Sequence, residues 1–167
     1  MAVPVTENPF AILTLVAAPA VFTNASSVLA LGTSNRLARV VDRTRQLSQM
    51  LQAAPPSDIS SKQTWVLHLE RQEKRAILLV RAMSFFYSAV GAFAAASLVS
   101  LLGASLVGIR YNLPFEVVVV VSLVVGTVGI VGLSIGCALL VKETHLALLN
   151  HAEEARQAKG WAEGRPQ

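Results

Sequence analysis

The sequence predicts an all-α membrane protein with three transmembrane helices and a cytoplasmic antiparallel helical hairpin extending spans one and two. Three observations carry that expectation. Three long stretches hold no charged residue, Lys and Arg crowd onto one set of connections, and a proline pair separates two amphipathic stripes of helical period.

The uncharged stretches are residues 8–35, 82–109 and 117–141, together 81 of the 167 residues. All 24 charged residues sit in the other 86, a density of 28% that matches an ordinary soluble domain. With 53% hydrophobic residues and a mean hydropathy of +0.55, the composition excludes a soluble globular protein and a disordered chain. One cysteine, Cys137, excludes a disulfide scaffold. The expectation is a single integral membrane domain, 1–167, with spans near 10–31, 83–108 and 117–141.

Span one could be mistaken for a signal peptide, because Ala18, Pro19 and Ala20 loosely resemble a cleavage site. No Lys or Arg precedes the apolar run, Glu7 stands where a basic region belongs, and the run is long for a signal sequence. We expect it to be retained. Crossing a ~30 Å hydrocarbon core takes about 20 helical residues, and each stretch is long enough. Helix is the state expected of all three, because isolated strands leave backbone groups unsatisfied in lipid. This overrides the β-propensity of the valine run 117–121.

The connections set the orientation. Segment 36–81 and the tail 142–167 carry 13 of the 14 Lys and Arg residues, and the short connection between spans two and three carries only Arg110. The positive-inside bias puts segment 36–81 and the tail in the cytoplasm, with the N-terminus outside. The connection around Arg110 becomes an external turn, with Tyr111 and Phe115 at interface depth.

Within 36–81, Leu37, Val40, Thr44, Leu47 and Leu51 form one helical stripe. Pro55 and Pro56 end it. Trp65, Leu69, Gln72, Ala76, Leu79 and Met83 form a second stripe, and Glu70 and Lys74 are spaced for an i,i+4 pair. The stripes are expected to face each other as a coiled-coil-like hairpin, the alternative being that they lie on the membrane surface. The tail reads as a weakly apolar helix, with Leu146 and Leu149 on it.

No catalytic, cofactor-binding or metal-binding residue is expected. His68, His145 and His151 lack a partner at metal-ligand spacing, and no phosphate loop, dinucleotide fingerprint or nucleophile elbow is present. Cys137 reads as a small packing residue. The absence of ionisable residues inside the spans counts against a proton-coupled carrier. Two intramembrane features remain. One is the polar and kinking set of span one, Thr14, Pro19, Thr23, Asn24, Ser26 and Ser27. Asn24 lies near mid-membrane, and its amide needs a partner within the chain, from another molecule, or from water. The other is a small-residue ridge, Ser84, Ser88, Ala92, Ala96, Ser100, Ala104 and Gly108 in span two with Gly129, Gly132 and Gly136 in span three. Arg36, Arg39, Arg81 and Lys142 form a basic collar that attracts anionic lipid head groups at the inner leaflet. Positive-inside topology accounts for this charge without nucleic acid.

The blocks Ala17-Ala18-Pro19-Ala20, Thr23-Asn24-Ala25-Ser26-Ser27-Val28-Leu29 and Ser34-Asn35-Arg36-Leu37-Ala38-Arg39-Val40-Val41-Asp42-Arg43-Thr44-Arg45 resemble a bacterial membrane family catalogued as domain of unknown function 2721. Arg75-Ala76-Ile77-Leu78-Leu79 and Lys142-Glu143 fit the same pattern. The resemblance covers roughly residues 8–155 and implies a three-span protein of the bacterial inner membrane, with no activity or catalytic residue to transfer. The function expected is a non-enzymatic component that packs with itself or with a membrane partner protein. The alternative is a small homo-oligomeric channel lined by the polar face of span one.

Overall fold

Apolar segments of this length satisfy their backbone groups only by closing i to i+4 hydrogen bonds. The computed structural model is accordingly three α-helices: α1 (Pro9–Ala53), α2 (Ile59–Val107) and α3 (Phe115–Ala162). It describes residues 9–53, 55, 59–107 and 115–162, and the side chains of 17–53, 55, 62–103, 117–149, 152 and 156. The Thr14, Phe115 and His151 side chains, most of the proline turn, and the connection holding Arg110 and Tyr111 lie outside the described residues. The valine run 117–121 is helical, so the need to pair backbone groups overrides its β-propensity.

The chain divides into two compact units. Unit 1 is Met1–Gly32 with Met83–Gly136, and unit 2 is Thr33–Ala82 with Cys137–Gln167. The divisions fall close to where the charge-free stretches meet the arginine-rich segments. Two helices, Lys62–Gly103 in α2 and Val117–Leu149 in α3, are long and apolar enough to cross a membrane. Only 28% and 11% of their most apolar windows are buried within the chain, whereas the core helix of a soluble protein would be mostly buried. Val21, Val28, Leu31, Leu98, Leu102, Leu123 and Val128 are all at least 60% exposed, an apolar surface that water does not favour.

In unit 1 the buried stripe of α2 is Phe86, Ala89, Phe93, Ala96, Ser100 and Gly103. Its alternating steps of three and four average 3.4 residues, close to the 3.5-residue period that keeps one face toward a partner. The expected ridge stepped by four, and a four-residue step drifts ~40° per repeat. Ser84 and Ser88 are therefore exposed, and of the described ridge members in α2 only Ala96 and Ser100 are buried. Gly129 and Gly136 do admit a close neighbour. A Cβ at Gly129 would lie 2.7 Å from the Phe93 ring, and one at Gly136 would lie 2.6 Å from Phe86. Phe93 also stacks on Phe22 of α1, with ring centroids 5.2 Å apart. Ser100 and Ser122 join α2 to α3 through their hydroxyls at 2.7 Å. Ser122 donates to the Ala96 carbonyl at 3.3 Å, so Ser100 is the donor to Ser122.

In unit 2, Val40, Leu47 and Leu79 are buried, and the other stripe residues Leu37, Thr44, Leu51, Trp65, Leu69, Gln72 and Ala76 are half-buried. The unit has a third member that the two-armed expectation lacked. Glu143 of α3 is buried and bonds to α2. Leu149, one of the apolar residues read on the tail helix, is 55% exposed. Among the described residues no ion pair joins Glu70 to Lys74. Both are exposed, and holding two long side chains together in water gains little.

Candidate functional site

Arg36, Arg39, Val40 and Arg43 fall within about 100° of arc on α1, because steps of three and four nearly complete a turn. Gln72 and Arg75 lie one turn apart on α2, and Glu143, Thr144 and Ala147 share a face of α3. These nine residues line one groove of about 600 Å³ in unit 2.

Glu143 is the hub. Its side chain is 3% exposed, and its two carboxylate oxygens turn to different helices. Arg75 grips Oε1 with Nε at 2.9 Å and Nη2 at 2.8 Å. The third nitrogen of Arg75, Nη1, donates to Gln72 Oε1 at 3.3 Å. Oε2 faces Arg36 Nη1 at 3.7 Å, and that same nitrogen donates to Thr144 Oγ1 at 3.1 Å. A carboxylate this deep requires compensating charge, because unpaired burial is costly. Arg39 and Arg43 are placed differently. Arg39 donates to the Asn35 carbonyl at 3.3 Å, and Arg43 donates to Gln46 Oε1 at 3.5 Å. Both acceptors are neutral, so neither guanidinium meets a carboxylate among the described residues.

The expected collar thus divides. Arg36 and Arg39 line the groove, while Arg81 and Lys142 are exposed and do not. Arg43, Gln72, Arg75, Glu143 and Thr144 were not anticipated as a site. A register in the sequence points to Glu143: Ser122, Gly129, Gly136 and Glu143 recur every seventh residue, and all four are buried.

The polar set of span one lies in unit 1. Thr23 donates to the Pro19 carbonyl and Ser27 to the Thr23 carbonyl, each at 2.9 Å. Ser26 is fully buried, and its hydroxyl has no partner among the described residues. Asn24 is exposed and bonds to no described residue. Two helix positions before Ser26, it points about 160° away from the buried face, so the described part of the chain does not supply the bond within the chain that the sequence allowed. Cys137 is half-buried. Among the described residues no three His, Cys, Asp or Glu side chains are grouped to hold a metal ion.

Fold and groove together define an all-α protein with membrane-length apolar helices and an arginine-rich charged unit. The chain belongs to the family described as "Protein of unknown function (DUF2721)", whose model matches residues 16–151. That segment contains every residue of the groove. No curated protein and no solved structure matches the chain significantly.

Proposed function

We propose that the protein is a three-span component of a bacterial inner membrane that associates with itself or with a membrane partner protein. The spans are 10–31, 83–108 and 117–141. Segments 36–81 and 142–167 are cytoplasmic, and the N-terminus is outside. The 13-to-1 distribution of Lys and Arg supports this orientation. Segment 36–81 folds back as a helical hairpin, and Arg36, Arg39, Arg81 and Lys142 attract anionic head groups. The non-enzymatic reading rests on the sequence, which supplies no recognised catalytic motif.

Asn24 is the observation that carries association. It is exposed on α1 with no partner among the described residues. Near mid-membrane a bare amide facing lipid is costly, and a neighbouring helix supplies its hydrogen bond. The same outward placement supports the second reading, a homo-oligomeric channel in which the Asn24 amide is hydrated. Asn24→Cys in a Cys137→Ser background separates the two in native membranes. Packing predicts that a small charged thiol reagent leaves the new cysteine unlabelled, and that Asn24→Leu shifts the native complex toward lower mass. Rapid labelling with complex mass unchanged favours the channel.

A further inference from the structure

The groove of unit 2 holds more positive charge than its own carboxylate balances. Four arginines face one glutamate, a net formal charge of +3. Arg75 and Arg36 are committed to Glu143 at 2.8 Å and 3.7 Å. Arg39 and Arg43 are left on the same wall with only neutral acceptors among the described residues. Glu143 lies at the base of the groove with its charge offset, so it positions Arg75 and Arg36 and does not repel an incoming anion.

We propose that this groove binds a phosphate group, the chemistry shared by an anionic lipid head group and a free phosphate ester. All the cations are arginines, and a guanidinium offers parallel N–H donors that match two phosphate oxygens, which the point charge of lysine does not. Arg39 and Arg43 hold the phosphate, and Arg36 lies one turn from Arg39 on the same face. A volume of about 600 Å³ exceeds a bare phosphate and lies in the range of small-molecule sites. The remainder of an esterified ligand fits against Val40, Gln72 and Ala147. Phosphate binding as such needs only the geometry of unit 2. The lipid source also rests on the membrane placement proposed above.

The test uses the full-length protein in neutral detergent at constant ionic strength. The probes are inorganic phosphate and, separately, phosphatidylglycerol in mixed micelles with phosphatidylcholine. Arg39→Gln with Arg43→Gln removes two groove charges. Arg45→Gln with Lys74→Gln removes two exposed charges outside both the groove and the collar. The groove pair is expected to weaken binding roughly tenfold or more, the low end for losing a charged hydrogen bond, and the control pair to leave it within about twofold. Phenylglyoxal modification read by peptide mass provides a measurement on unmutated protein, in which probe should protect Arg39 and Arg43 ahead of the exposed Arg45, which lies outside the groove and the collar. Tighter binding of inorganic phosphate than of phosphatidylglycerol identifies a free phosphate compound as the source, and tighter or exclusive binding of phosphatidylglycerol identifies a head group. Failure of both probes to bind, equal loss in both variant pairs, or protection no greater at Arg39 and Arg43 than at Arg45 overturns the proposal. Protection in a chain that fractionates as soluble would retain the groove and discard the membrane placement.

Discussion

Gly129 and Gly136 each stand where a methyl group would meet a phenyl ring that cannot easily move. Phe86 and Phe93 are at most 1% exposed, and Phe93 also stacks on Phe22. Gly129→Ala and Gly136→Ala should each destabilise unit 1 by about 1–3 kcal/mol, the usual range for overpacking. Gly126→Ala, with nothing within 4 Å of the new methyl, should be neutral to stabilising by up to about 1 kcal/mol, because alanine is the better helix former. Thermal unfolding in detergent checks all three, and equal midpoints would contradict the close approach. Glu143 supplies a second case. Arg75→Met leaves its carboxylate buried with only the distant Arg36 at 3.7 Å, a loss of about 3–5 kcal/mol in comparable buried pairs. Adding Glu143→Leu removes the orphaned charge and should recover much of that stability. A double variant no more stable than Arg75→Met would count against a buried ion pair. The sequence marked Gly129, Gly132 and Gly136 as close-approach sites because small residues at helical spacing signal packing directly. It did not mark Glu143, because Lys142 and Glu143 both look like the polar end of a span. Choosing between them requires the register that buries every seventh residue of α3.

Along the elements, periodicity was informative wherever burial is apolar. Leu47 is 5% exposed and Leu79 is fully buried, and both lie on stripes visible in the sequence. The part of α3 in unit 2 was not legible as a packing partner, since its buried contact is an ion pair and Leu149 points outward. Leu47→Asp should therefore loosen unit 2 by several kcal/mol, because an unpaired charge is costly at a buried site. Leu69→Asp, at a half-buried position, should do less, and exposed Arg45→Ala very little. Limited proteolysis should rank the three in that order. Indistinguishable digestion would contradict a packed unit 2. The polar face of span one was legible only in composition. Thr23, Asn24, Ser26 and Ser27 are consecutive enough that their directions depend on the rotation of α1, and the fold turns Ser26 inward and Asn24 outward.

At the scale of the whole molecule, the apolar surface and the charge distribution point the same way. Residues that a soluble fold would hide stay uncovered on α2 and α3, and the arginines gather in unit 2. The charge-free stretches showed this plainly, because excluding 24 charged residues from 81 positions reflects a solvent boundary and not a local packing preference. The groove was not legible at this scale, since it depends on side chains from three helices separated by more than 100 positions between Arg36 and Thr144. Topology reporters test the membrane arrangement most directly. One reporter is inserted after Asn112, between α2 and α3, and a second is fused after Gln167. The arrangement predicts the Asn112 reporter outside the membrane and the Gln167 reporter in the cytoplasm. A cytoplasmic Asn112 reporter, or both reporters on one side, would contradict it.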